Sequence, residues 1–352
     1  MNIRILLIIV GISFLSNLSA QTKEEKAKIK ELEKSYMSFS NHKKFFETKR
    51  WAMVRFHIIY KVTTAMISED VEKNNWNSLK VSTSAGAYGM LDGVTEADLE
   101  GITAQVAENF IRRMQEEAGI EILTWSNFKD NPNVQKIIDE ADPENEIYSK
   151  SQGLGYAVSY DGTPIWNKVI QIVPGGKKLA KDLEANVMNL SFYVDFAQTE
   201  AEAKATISIG KRTIVDGQWG VPYTLSKEAN MSVLPGVRVI PKLGSQSAFE
   251  GATDIGYSGV TGHTEVLHTF TFLENPGTET ASRLTSGIPF AMEVIKQEGE
   301  VPAILQNRKN NKIEYASTFV VKTTPEKYAE AVVDATNLYF DDLITYYNLV
   351  TK

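Results

Sequence analysis

The stretch Leu79–Ala141, LKVSTSAGAYGMLDGVTEADLEGITAQVAENFIRRMQEEAGIEILTWSNFKDNPNVQKIIDEA, decides the fold. Apolar residues recur in it at Leu99, Ile102, Val106, Phe110 and Met114, with Ala107, Ile111 and Ala118 widening the row. That is the spacing of one helical face, and it leaves Glu108, Arg112, Arg113, Glu116 and Glu117 toward water. Both ends are marked. Thr95 with Asp98 three residues on reads as an N-cap, because hydroxyl and carboxylate satisfy amides that the first turn leaves unpaired. Gly119 supplies the left-handed residue that closes such a helix. Ile120–Thr124 then reads as a short strand, and Pro132 opens a second helix whose buried side is Val134, Ile137, Ile138 and Ala141. A helix, a strand and a helix in this order need a sheet to pack on.

The flanks supply one. Trp51–Ile67 reads as a strand, with Val54, Phe56, Ile58, Tyr60 and Val62 on one face and Arg55, His57 and Lys61 on the other. Leu79–Leu91 is a second strand, in which Gly86 and Gly89 mark a bulge or a close backbone approach. Asp161-Gly162 predicts a hairpin between Tyr156–Tyr160 and Ile165–Val173, and Asp216-Gly217 another between Thr213–Val215 and Trp219–Tyr223. Asn186–Phe196 alternates cleanly: Met188, Leu190, Phe192, Val194 and Phe196 face one way, Asn189, Ser191, Tyr193 and Asp195 the other. Ala203–Ile209 alternates too, so this is antiparallel sheet, half buried. Thr264–Leu273 and Ile313–Val321 are later strands. Thr324-Pro325 caps and starts a final helix with Tyr328, Val332, Ala335, Tyr339 and Tyr346 as its stripe. The class is α+β: a mixed, largely antiparallel sheet, with the helix-strand-helix unit and a long C-terminal helix packed on it. No repeat or linker divides residues 51–352, which read as a single α+β domain.

Residues 1–20 read as a signal peptide, with Arg4 as n-region, Ile5–Leu15 as h-region and cleavage after Ala20. The h-region is too short for a stable bilayer anchor, so no transmembrane span is expected once it is removed. Residues 21–50 form a charged helical arm, read as solvated because Ala27, Ile29 and Leu32 make no wide apolar stripe. Its glutamates are placed to pair with lysines, Glu24 with Lys28 and Glu31 with Lys34. The chain has no cysteine, hence no disulfide, which favours a bacterial export route over a eukaryotic one. Its formal net charge is −7, and loss of Arg4 with the signal makes the exported chain one unit more acidic. That balance excludes nucleic acid as an expected partner.

Chemical motifs are scarce. His263, Glu265 and His268 have the residue types of a metal site, but on a strand His268 points away from the other two, so a core histidine is the better reading. Pro174-Gly175-Gly176-Lys177-Lys178 lacks the spacer and the hydroxyl of a phosphate loop. No nucleophile elbow is present, and the expectation is no cofactor. Trp166, Trp219 and Tyr223 lie near hairpin turns, where aromatic rings line ligand or partner surfaces.

The strand at Trp51–Val62, the helix Thr95–Ala118 and the strand Gly119-Ile120-Glu121-Ile122-Leu123 resemble, in their order, the α/β domains of CsgG-like periplasmic proteins. The next helix and a late strand before a long terminal helix follow the same order. The lipid-anchored cysteine common among such proteins is absent here. The resemblance implies a role in assembly or secretion at the bacterial envelope. The expected function is therefore an exported, periplasmic or extracellular, non-enzymatic binding or assembly-accessory protein engaging another envelope macromolecule. The alternative is a secreted hydrolase acting on glycans through a carboxylate pair, with Trp166 or Trp219 in its cleft.

Overall fold

The structure is a computed structural model and describes residues 21–35, 38–39, 48–74, 79–134, 138, 146–149, 153–163, 165, 176–211, 213–215, 218–220, 223–246, 255–257, 266–268, 277–286, 288–289 and 313–352. The signal segment, residues 1–20, lies outside them.

In chain order the elements are α1 (Lys23–Ser35), β1 (Ser38–Phe39), β2 (Arg50–Lys61), β3 (Thr63–Asn74), β4 (Leu79–Asp92), α2 (Glu96–Ala118), β5 (Glu121–Leu123) and α3 (Trp125–Phe128). Then come β6 (Glu146–Ser149), β7 (Gly153–Ser159), α4 (Gly176–Leu183), β8 (Asn186–Ile209), β9 (Thr213–Val215), β10 (Gln218–Gly220) and β11 (Tyr223–Gln246). The chain closes with β12 (Ile255–Tyr257), β13 (Val266–His268), β14 (Gly277–Ser286), β15 (Ile288–Pro289), β16 (Tyr315–Lys322) and α5 (Pro325–Val350). The class is α+β, with mixed sheets that are mostly antiparallel and a long C-terminal helix.

α2 forms where its sequence places it. Thr95 accepts from the Asp98 amide while Asp98 takes the Thr95 amide at 2.8 Å, and Gly119 closes the helix at φ 64°. Thr95 holds the Asp98 carboxyl below its usual value. That contribution is present at neutral pH and lost as acid protonates the group. Its inner face packs against β2 and β8 together with α5. Phe110 lies 5.2 Å from Phe340 and 6.5 Å from Phe56, ring centre to ring centre, and Phe192 stands edge-on to both Tyr339 and Phe340. Arg113 is the exception on the outer face. Its side chain is only 12 % exposed, because it bridges Glu117 on its own helix and Asp341 on α5, both at 2.6 Å.

The main sheet has the order β1-β12-β11-β8-β2-β7-β6, and β8 is its spine. It runs parallel to β2 on one side and antiparallel to β11 on the other. Every residue of β2 from Trp51 to Tyr60 is buried, so both its faces are covered. The expected alternation changes: the ladder with β8 slips between Met53 and Arg55, so Val54 joins Ala52 and Val187 while Phe56 joins the helix-facing core. A bulge inserts one residue and so reverses which face the later ones take. Asn186–Phe196 is likewise buried on both faces rather than half buried, with Tyr193 partly covered.

Trp51–Ile67 is also not one strand. It breaks at Val62, whose amide donates to Leu154 in the main sheet and whose carbonyl accepts from Leu91 in the second sheet. That second sheet has the order β16-β4-β3. Gly86 and Gly89 lie in an unbulged register with β3. They serve a close approach instead, since a Cβ on Gly89 would stand 2.9 Å from Thr64 Cγ2. Gly93, after β4, holds φ 90°, and a Cβ there would overlap the Thr323 carbonyl oxygen. Gly93→Ala is expected to destabilise by about 2 kcal/mol or more, read as a lower urea midpoint at unchanged slope.

Beyond Val62, β3 keeps step with β8 without pairing to it. Thr64 meets Thr199 hydroxyl to hydroxyl at 3.1 Å, while Ser68, Asp70 and Glu72 accept from the amides of Ala203, Ala205 and Ile207. Side chains thus cover an edge that β2 no longer pairs.

The arm is anchored rather than free. Leu32 is 2 % exposed, Gln21 Nε2 donates to the Leu349 carbonyl at 2.7 Å, and Glu25 pairs with Lys352. One leucine buried in the core does what a wide stripe was expected to need. Within the arm Lys28 pairs with Glu31 at 3.3 Å. After β5, the first helical turn comes at Trp125–Phe128, before Pro132; Val134 is buried but Ile138 is 43 % exposed, and residues 137 and 141 lie outside the described set. Asp161 and Gly162 both take positive φ, as a two-residue hairpin turn requires. The return strand expected at Ile165–Val173 lies almost wholly outside the described residues.

Candidate functional site

The second face of β2 and β8, turned away from α2 and α5, is where this chain buries charge. Its first turn is apolar: Ala52, Val54 and Val187 pack with Trp125, Phe128, Leu179 and Ala180 of α3 and α4. Past the bulge it becomes polar. In the parallel ladder Arg55 stands beside Asn189, His57 beside Ser191 and Ile59 beside Tyr193. Asp195 stands opposite Arg238 on β11. Arg55, His57, Asn189, Ser191 and Asp195 are all buried.

Two geometries define this face. Asp195 is clamped: Lys61 Nζ lies 2.6 Å from Oδ1, and Arg238 reaches Oδ2 through Nε at 2.9 Å and through Nη2. A buried carboxylate between two cations is favourable only as a complete set, because removing any member leaves charge without compensation. Four residues back along the strands, Arg55 Nε donates to His57 Nδ1 at 2.8 Å, and Nη2 lies 2.8 Å from Nε2. A guanidinium has no acceptor, so the imidazole nitrogen it donates to carries no proton, and His57 is neutral in this arrangement. A neutral imidazole has one acceptor, so one contact is a hydrogen bond and the other is close packing. Burial lowers the Arg55 pKa to about 10. It raises that of the Tyr193 phenol, with the nearby Arg55 charge pulling the other way.

Asn189 Oδ1 has no hydrogen-bond partner among the described residues. On the helix side Tyr60 meets Thr103 at 3.0 Å, while the fully buried Tyr328 phenol is raised well above its usual value by burial, with Tyr60 and Asp195 adding to it. These are groups that hold and orient. Among the described residues Asp195 is the one buried carboxylate, and both its oxygens face cations.

The residues singled out by motif fall elsewhere. His263, Glu265 and Trp166 lie outside the described residues. His268 ends β13, opposite Val237 of β11, so it belongs to a strand. Trp219 lies on β10, opposite Ile214. Tyr223 opens β11, 40 % exposed and opposite Ile209, itself 43 % exposed. Tyr223 and Ile209 thus form an apolar pair at the far end of the long strands, well along the sheet from Asp195. The polar face had a signal in the sequence. Arg55, His57 and Lys61 alternate on one strand and Asn189, Ser191, Tyr193 and Asp195 on another, but nothing short-range says that these two rows are neighbours.

No α-helix is long and apolar enough to cross a membrane among the described residues. Comparison with protein-family models, with curated proteins and with solved structures finds no match for this chain.

Proposed function

We propose that this chain is an exported, non-enzymatic binding or assembly-accessory protein of the bacterial envelope, and that it engages another envelope macromolecule. The observation that carries the reading is the ribbon made by β8 and β11. Each strand is 24 residues long, roughly 80 Å along its path. In the half beyond the polar face, Ala203, Ala205, Ala229, Met231 and Val233 turn inward to the second sheet. Outward stand Gln198, Glu200, Glu202 and Lys204, with Glu228 and Asn230 beside them, all exposed. An exposed strip of charged and polar side chains, roughly 20 Å along β8, suits contact with another macromolecule better than with a small substrate. The order of elements that resembles CsgG-like proteins supports the same assignment. The hydrolase reading needs two facing carboxylates, and Asp195 instead faces Lys61 and Arg238.

The test is retention of envelope components by the chain beginning at Gln21, compared with the double charge reversal Glu200→Lys with Glu202→Lys. Loss of a retained macromolecule at unchanged melting temperature is expected. Equal retention by both chains, or release of sugar from envelope glycan, contradicts the proposal. Export has its own test. Replacing Leu7 and Ile8 by charged residues should trap the precursor in the cytoplasm, because the h-region must partition into an apolar channel; exported, processed protein after that change contradicts it.

A further inference from the structure

Three strand pairs end together. β3 closes with Asn74 opposite Leu79 of β4, β8 with Ile209 opposite Tyr223 of β11, and β14 with Ser286 opposite Thr224 of β11. Glu72 on the Ile207 amide keeps β3 level with β8 up to this end. Alternation along the strands puts Val81 and Leu79 of β4, Ala205, Ile207 and Ile209 of β8, and Tyr223 of β11 on the faces that the two sheets turn to each other. Their cover thins toward the end. Val81 and Ala205 are buried, Leu79 and Ile207 half-buried, Ile209 and Tyr223 exposed. The apolar layer is thus open here, and the β8–β11 connection adds the β9–β10 hairpin, where Trp219 stands opposite Ile214. Around this opening the uncompensated charge is positive. Lys73 and Lys80 stand directly opposite each other on β3 and β4, both exposed and without an ion-pair partner among the described residues. Exposed Lys211 follows just after Ile209, while Glu72, the neighbouring carboxylate on β3, already accepts from Ile207. Directly opposed like charges are destabilising, and they stand here in a chain whose formal net charge is −7.

We propose that this end of the ribbon docks on an anionic phospholipid surface, Lys73, Lys80 and Lys211 meeting the phosphates while Ile209 and Tyr223 enter the headgroup layer. The charge complementarity is direct: an anionic surface supplies the counter-charge that the opposed lysines lack. The apolar pair selects a lipid surface over a soluble polyanion, which has nothing to offer exposed isoleucine and tyrosine side chains. Tyrosine suits the boundary, with an apolar ring and a hydroxyl that stays in the wet layer. Lysine places its charge at the phosphates while its methylene stem lies along the apolar rim. Neither part anchors the chain alone, but a basic patch joined to a small apolar one gives reversible attachment. The acidic strip at Glu200 and Glu202 lies further back along β8, so it stays available to a second partner while this end is docked.

Co-sedimentation of the chain beginning at Gln21 with vesicles tests this, using phosphatidylglycerol mixed into phosphatidylcholine against phosphatidylcholine alone. Binding is expected to the mixed vesicles only, and to weaken as salt is raised. Lys73→Gln with Lys80→Gln should cost about fivefold in affinity per lysine, roughly 25-fold for the pair. That variant should keep or raise the urea midpoint, because it removes a like-charge pair. Lys322→Gln with Lys327→Gln makes the same change in net charge beyond the other end of β4, and should cost twofold or less. Ile209→Ser with Tyr223→Ser should weaken vesicle binding several-fold without weakening binding to dextran sulfate, a soluble polyanion. If that variant unfolds, the two lysine pairs alone decide. Absence of binding to the mixed vesicles, equal binding to phosphatidylcholine alone, or equal loss from the two lysine pairs overturns the proposal. So does a folded Ile209→Ser with Tyr223→Ser chain that binds vesicles like the parent, which would make this end a polyanion site.

Discussion

Phe110→Ala is expected to lower the free energy of unfolding by about 3–5 kcal/mol. Phe110 is fully buried at the point where α2, α5 and β2 meet, with the Phe340 and Phe56 rings around it. Alanine removes both the ring's transfer from water and the contacts of its neighbours. The void should persist, because strands on one side and a helix on the other cannot close over it cheaply. Arg112, two residues on and about 200° around the same helix, where it pairs at the surface with Asn109 and Glu116, gives the contrast. Arg112→Ala should change stability by about half a kcal/mol or less. Denaturant unfolding of both variants, reading midpoint and slope together, decides the matter. Equal damage from the two would mean that the face assignment of α2 is wrong.

Asp195→Ala is the second large effect, of about 3 kcal/mol, near the lower end for breaking a buried charge set. The discount is physical: the Lys61 and Arg238 side chains are 19 % and 32 % exposed, so water partly screens the charges left behind. Converting Lys61 to Met in the same chain should recover part of the loss, since it removes one of the two cations the mutation leaves facing each other. If Asp195→Ala lies within about half a kcal/mol of the parent, the carboxylate is not the keystone of this face. If Lys61→Met deepens the loss, the repulsion argument fails.

The pattern that was legible was the short-range one. The cap at Thr95, the left-handed Gly119, the start of α5 at Thr324-Pro325 and the turn at Asp161-Gly162 each depend on residues within a few positions of one another. Sequence periodicity likewise placed Leu99, Val106, Phe110 and Met114 inward. What escaped was long-range. A period of two says that Arg55 and His57 share a face, but not that Asn189 and Ser191 lie beside them, more than a hundred residues on. Nor does it say that a one-residue bulge moves Val54 to the other side. The polar row of β8 reads as exposed because alternation cannot distinguish solvent from a covered polar layer. The arm is held by Gln21 and Glu25 at the end of α5 and by the buried Leu32, which charge-rich composition concealed.

β8 as the spine shared by both faces of the main sheet is the claim on which all of this rests. Native-state hydrogen exchange along that strand tests it most directly. Amides from Met188 to Val194 lie between β2 and β11, with core on one side and the polar layer on the other. They should exchange only with global unfolding, at the same free energy as the buried turns of α2. Exchange at Leu190, Phe192 or Val194 that is faster than at Ala203, on the edge held by side chains alone, would contradict the account.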